Sequence, residues 1–294
     1  MRMAVPRTLP APTFVLLAPW LLTVGVFWLY PLVYALALSF AKYSTLSGAW
    51  KWVGFDNYVA LMSSERFWLA LRNTAVFTVG TVPVTTAFAL ALAHGVRGRS
   101  ERFATILRSS YFLPSVTSLV VIALIFTNLY SRDGAINALL EVIGMSGSAR
   151  GWLLDTATAL PAVMAMDVWI STGYYMVLVL AGMESIPKDL YESARLCGAT
   201  RWQQFWRITL PLLRPTLVFI LVLNSIKSFQ VFVEIYVMTK GGPLGATNTL
   251  VYELYHQAFE QTDMMGQASA LAYVVFVILL VMSFVQMRIF RNAT

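Results

Sequence analysis

The chain has 294 residues, 58% of them hydrophobic and only 12% charged, with a mean hydropathy of +0.68. Soluble domains carry about 25% charged residues, so the composition excludes an ordinary soluble enzyme and indicates an integral membrane protein. The net charge of +7 lies in short runs between apolar segments, which sets membrane orientation instead of suggesting nucleic acid; Cys197 alone excludes an internal disulfide, and the distant His94 and His256 leave no apparent His/Cys metal cluster.

A membrane span needs about 20 mostly apolar residues. In chain order, six segments qualify: 13–40, 73–96, 105–130, 157–182, 213–238 and 268–288. The first contains Pro19 and Pro31, which membrane helices tolerate when neighbours satisfy the freed carbonyls. Arg2 and Arg7 before it, and Ala35-Leu36-Ala37 within it, also fit a cleaved signal peptide, although the apolar run is too long for a usual signal core. Residues 42–70 follow, rich in Trp50, Trp52, Phe55, Tyr58, Phe67 and Trp68, a composition suited to interfacial packing.

The fourth span carries Asp167, and the fifth carries Lys227 and Glu234. Charges at the centre of a membrane helix cost about 2.5–3.5 kcal/mol on insertion scales, so they face a bundle interior or a wet cavity. Asp167, Ile170, Ser171 and Tyr174 repeat at i, i+3, i+4 and i+7, on one helical face. Asn224, Lys227, Ser228 and Val231 have the same spacing. An inert Asp167–Lys227 pair is the plainer reading, and pairing is compatible with lining a pathway.

Between these two spans lies a polar segment, residues 184–211. Pro187 suits a helix start, Asp189 and Glu192 its early turns, and Gly198 a left-handed stop. Thr200 and Gln203 have capping-box spacing for a second short helix bearing Trp202, Phe205 and Trp206, and Pro211 marks the next span. Composition alone would make this a simple connecting loop. Beyond the fifth span, Gly241-Gly242-Pro243 predicts a turn, and lacks the Lys-Ser/Thr of a phosphate loop. Leu250, Val251, Leu254, Tyr255, Ala258 and Phe259 then predict a short amphipathic outer helix over 249–260.

With six spans, Arg2, Arg7, Arg97, Arg99, Arg102, Arg108, Lys188, Arg195, Arg201, Arg207, Arg214, Arg288 and Arg291 fall on one side. Lys42, Lys51, Arg66, Arg72, Arg132, Arg150 and Lys240 fall on the other, in longer loops. The positive-inside rule then places both termini and the polar segment in the cytoplasm.

Glu192-x-Ala194, Gly198 six residues after Glu192, and Ile208-x-Leu210-Pro211 resemble the EAA signature of permease subunits of binding-protein-dependent ABC importers. Val53-Gly54-Phe55-Asp56-Asn57-Tyr58, Arg72-Asn73-Thr74, Leu113-Pro114, Trp152-Leu153, residues 238–243 and Gly266-Gln267-Ala268-Ser269-Ala270 are similar to the maltose-permease-like carbohydrate branch, in order over most of the chain. Ser193 departs from the usual alanine, and Cys197 from a frequent aspartate.

The resemblance implies an all-α integral membrane protein of the type I ABC importer permease fold, one domain over 1–294, in the bacterial cytoplasmic membrane. It assigns Tyr191, Glu192, Ser193, Ala194, Arg195 and Gly198 to a coupling helix that docks on an ATPase. It also matches both quartets, and Ser115 in the third span, to positions lining the sugar site. There Asp167 replaces an amide and Lys227 an aromatic, so the site is more charged than a neutral maltodextrin site. Tyr174 and Trp169 are the aromatic surfaces for a sugar ring, although Trp169 also suits plain packing. The implied partners are a second homologous permease, two copies of an ABC ATPase that hold ATP and Mg, and a periplasmic or lipid-anchored solute-binding protein. No cofactor, metal or catalytic residue is expected in this chain, which moves a sugar or oligosaccharide by alternating access. An anionic sugar derivative such as a glycerol phosphate is the alternative cargo. An ion-coupled secondary transporter is a different class; it lacks paired Gly/Pro-broken spans and leaves the polar segment unexplained.

Overall fold

A computed structural model describes residues 11–44, 48–97 and 99–291; Arg2 and Arg7 of the amino-terminal basic flank lie outside them. The order is α1 (Ala11–Val24), a π turn (Gly25–Leu29), α2 (Tyr30–Ser39), β1 (Ala41–Tyr43), β2 (Trp50–Trp52), α3 (Asp56–Met62), α4 (Glu65–Val96), α5 (Glu101–Val116), α6 (Leu119–Leu129), α7 (Ala135–Val142) and α8 (Ala159–Glu184). Then come α9 (Lys188–Leu196), α10 (Arg201–Gln204), a π turn (Phe205–Thr209), α11 (Leu210–Leu212), α12 (Arg214–Phe229), α13 (Val233–Met238), α14 (Leu250–Tyr255), a π turn (His256–Glu260) and α15 (Met265–Arg291).

Leu16–Ser39, Glu65–Val96, Ala159–Glu184, Arg214–Met238 and Met265–Ile289 are each long and apolar enough to cross a membrane. The sixth segment departs from expectation. The stretch 105–130 is not one rod but α5 and α6, bent by 97°. The cause is local. Ser115 Oγ donates to Phe112 O (2.6 Å) and Thr117 Oγ1 to Leu113 O (3.0 Å), while Ser118 is extended (ψ 122°) ahead of α6. Hydroxyl side chains that bond the preceding turn compete with helix continuation. The second span also begins earlier than 73, because Ser64 is extended (ψ 122°) and Glu65 opens α4. Its polar first turns carry little hydropathy, yet Arg66 pairs with Glu253 at 3.6 Å.

The chain packs as two compact units. The first comprises residues up to Ser63 with Leu254–Val274. In it, β1 and β2 form an antiparallel hairpin with Lys42 opposite Lys51. Aromatic rings cluster here: Phe40 meets Phe55 edge-on at 5.3 Å, and Tyr58 lies 5.4 Å from Phe40. Asn57 Nδ2 donates to Ser39 O (2.9 Å) and Ala41 O (3.0 Å).

The second unit comprises Ser64–Glu253 with the segment from Val275. Its centre is α8, packed against α4, α5 and α12. Gly173 allows the close approach to α5, since a Cβ there would collide with Tyr111 O. Buried Thr74, Thr78 and Thr81 on α4 return their hydroxyls to the carbonyls of Ala70, Thr74 and Phe77 (2.7–2.8 Å), which lets polar residues sit among apolar ones. Two apolar clusters result, one around Phe77, Met166, Ile170 and Ile235, the other around Ala89, Met176, Met183 and Leu213.

The loop after α13 is tied to α4. Asn73 Nδ2 donates to Gly245 O and Asn248 O, both at 2.9 Å, and Thr74 Oγ1 accepts from Leu250 N (3.0 Å). Asn73→Leu should orphan two carbonyls at about 1–3 kcal/mol each. Thermal unfolding of the purified transporter and faster proteolysis within 240–249 would report that loss.

Candidate functional site

Three charged side chains meet in the second unit. Lys227 on α12 forms an ion pair with Asp167 Oδ1 on α8, donates to Ser171 Oγ (2.9 Å), and has Glu234 Oε1 of α13 at 4.0 Å. Asp167 is fully buried and Glu234 nearly so, whereas Lys227 keeps 40% of its side chain exposed. Helical spacing accounts for the meeting of Asp167 and Ser171, one turn apart on α8. The approach of Glu234 depends on a break between α12 and α13. There Gln230 N donates to Ile226 O and Lys227 O (both 3.2 Å), and Thr249 Oγ1 satisfies Val231 O (3.1 Å).

An open cavity of about 250 Å³ lies beside this triad. Of the residues expected to line a substrate path, Ser115, Ile170, Ser171, Tyr174 and Lys227 reach it. Asp167 stands behind Lys227 as its counter-charge. Asn224 and Ser228 are buried, with Ser228 Oγ accepting from Thr81 Oγ1 (3.2 Å), and Val231 belongs to the apolar core. Trp169 packs its ring on Phe126 (5.4 Å) and is absent from the cavity wall, whereas Tyr174, 44% exposed, lies on it. Sequence reasoning missed Thr117, Leu119 and Tyr175. The first two flank the break after Pro114, and the hydroxyl run Ser115-Val116-Thr117-Ser118 was the available signal.

The polar segment folds as two short helices. Gly198 is left-handed (φ +78°), with Ala199 N donating to Ala194 O (2.9 Å) and Gly198 N to Arg195 O (3.0 Å). That pairing is a Schellman stop. Thr200 and Gln203 form the expected capping box, with bonds of 3.3 and 2.8 Å. Pro211 does not begin the fifth span: it lies within α11, and α12 starts after a single turn residue, Leu213. Along α9, Lys188, Tyr191, Glu192 and Arg195 share one face and line a second cavity of about 650 Å³. Ser193 and the 91%-exposed Leu196 point elsewhere, and Ala194 and Gly198 lie outside that wall. Ser193 and Cys197, the two departures from the EAA pattern, are both exposed.

Residues 84–292 match the family model described as binding-protein-dependent transport system inner membrane component. The chain belongs to this family. It is a multi-pass membrane permease, and it is similar over nearly its whole length to known permeases. It is 34% identical to the lactose transport system permease protein LacF of Rhizobium radiobacter, over 92% of this chain and 90% of that one. It is 31% identical to the trehalose/maltose transport system permease protein MalF of Thermococcus litoralis, over 95% and 93%. A crystal structure of a bacterial ABC transporter involved in import of the acidic polysaccharide alginate superposes with a TM-score of 0.83 at 26% identity, covering 96% of each chain. Chains of an amino acid ABC transporter and of the MetNI methionine ABC transporter share the fold at TM-scores of 0.52 and 0.55 and identities of 18% and 17%, covering 81% and 79% of this chain and 96% and 100% of their own.

In this permease the Lys227 ammonium is held by a carboxylate it also neutralises. Lys227→Met should destabilise by about 3 kcal/mol, the low end for breaking a buried pair given the lysine's partial exposure. The double variant Asp167→Asn/Lys227→Met should recover part of that loss in a thermal-shift measurement in detergent.

Proposed function

We propose that this chain is one membrane subunit of an ATP-driven importer for a neutral sugar or oligosaccharide, and that the cavity beside Lys227 is its part of the pathway. The observation that carries this reading is the grouping of Ser115, Ser171, Tyr174 and Lys227 around one cavity among membrane helices. Its donors suit hydroxyls, and Tyr174 offers an aromatic face. Relatives named for lactose, arabinooligosaccharides and trehalose/maltose support a saccharide. The alginate transporter carries an acidic polysaccharide, but here Asp167 already neutralises Lys227. That pairing favours a neutral cargo over an anionic derivative such as a glycerol phosphate.

An open cavity of about 250 Å³ is smaller than the usual 300–1,000 Å³ enclosing a ligand. A second, homologous permease would supply the facing wall. The segment 184–211 would dock on an ABC ATPase, two copies of which hold ATP and Mg and perform the hydrolysis. ATP-driven closure of that dimer would move the segment as a rigid body and open the pathway outward; hydrolysis would reverse the motion. A related alginate transporter has been crystallised with an alginate pentasaccharide-bound periplasmic protein, which supports delivery by a soluble or lipid-anchored binding protein. The site of action is the bacterial cytoplasmic membrane, with both termini and the 184–211 segment inside.

Tyr174→Ala in the reconstituted importer should raise the apparent KM for sugar about tenfold while co-purification of the partners is preserved. Unchanged uptake removes this cavity from the pathway. Glu192→Lys should abolish ATP-coupled uptake; retention of full coupling would show that α9 is not the docking element.

A further inference from the structure

The larger cavity, about 650 Å³, is lined by Arg97, Arg99, Lys188, Arg195 and Arg201 against a single carboxylate, Glu192. Among the described residues, no carboxylate lies within ion-pair distance of any of these five cations. Like charges converging on a concave wall raise the local positive potential and concentrate anions there.

The wall is built as well as charged. The Arg97 guanidinium stacks 4.4 Å above the Tyr191 ring and donates to the Tyr191 hydroxyl (2.8 Å). That hydroxyl also bonds Thr209 Oγ1 (2.9 Å), itself buried. Arg195 Nε is anchored on Tyr191 O (3.3 Å). His94 adds a buried Nδ1 with no hydrogen-bond partner, its ring packed 4.5 Å from Phe205. Two guanidiniums are thus held in place before any ligand arrives. Pre-positioned guanidinium forks match the oxygen geometry of phosphate better than flexible ammonium groups alone. Arg97 follows directly on α4, a helix long and apolar enough to cross a membrane.

We infer that this cavity, between the end of α4 and the inward face of α9, is a binding site for a phosphate-bearing anion. The inference is independent of which sugar is carried. The phosphate belongs either to an anionic phospholipid head group or to a small soluble phosphate ester. The exposed Ser193 and Leu196 stay outside the cavity wall and remain available to a protein partner.

The test uses the complete importer in nanodiscs of phosphatidylcholine alone or with phosphatidylglycerol, and in detergent with added inorganic pyrophosphate. The wild type is compared with Arg99→Gln/Lys188→Gln/Arg201→Gln. Native mass spectrometry reads retained lipid, and calorimetry reads pyrophosphate binding. A wild-type preference for phosphatidylglycerol that falls about tenfold or more in the triple variant supports the site with a lipid occupant. Pyrophosphate binding lost in the same variant supports it with a soluble one. Equal lipid retention together with no pyrophosphate binding overturns the inference. Release of the ATPase from the triple variant, with lipid and pyrophosphate binding unchanged, also overturns it, because the basic wall would then serve protein docking.

Discussion

One ammonium group organises the interior of the larger unit. Lys227 reaches Asp167 on α8 and Glu234 on α13, so a single cation ties three helices through charge. Such an arrangement is expensive to bury. Each ion loses its hydration, and the return depends on close pairing and further hydrogen bonds. Here Ser171 supplies one of those bonds, and partial exposure to the cavity keeps the lysine's own penalty small. The same geometry leaves Lys227 with one side toward open space. The group that stabilises the helix contacts therefore also marks the wall where a polar ligand could rest.

Two helix interruptions make room for that arrangement. The α5–α6 bend brings Ser115, Thr117 and Leu119 to the cavity, and the break after Gln230 lets Glu234 turn toward Lys227. Irregular backbone at membrane depth is tolerated where protein or a wet cavity satisfies its polar groups. Both breaks meet that condition by hydroxyl bonds, local ones from Ser115 and Thr117 in one case and one from the distant Thr249 in the other. Packing is close between these breaks, as where Gly173 lets α8 approach the α5 backbone.

The helical pair at 188–212 combines two surfaces. Its Schellman stop and capping box fix the turn without help from distant residues. One face of α9 is spent on the basic cavity, through Tyr191 and Arg195, while Leu196 is almost fully exposed. The pair therefore combines a fixed turn with a charged face on the cavity and an exposed apolar side chain, Leu196.

Much of this was legible in the residues themselves. Hydropathy located five long apolar helices because a bilayer demands long apolar runs, and Gly198, Thr200 and Gln203 announced their turn because capping is governed by chemistry within a few residues. The i, i+3, i+4, i+7 pattern correctly grouped Asp167, Ile170, Ser171 and Tyr174 on a helical face. It did not reveal that Asp167 hides while Tyr174 opens to the cavity, that Val231 joins the core, or that Trp169 packs on Phe126. Those outcomes, with the 97° bend and the convergence of Arg97 on Tyr191, were decided only by tertiary structure. The sequence alone determined a multi-span membrane protein with its own capped hairpin, because those signals are local. Which polar groups share a cavity was left to the tertiary structure, because it depends on how helices far apart in the chain cross and where they break.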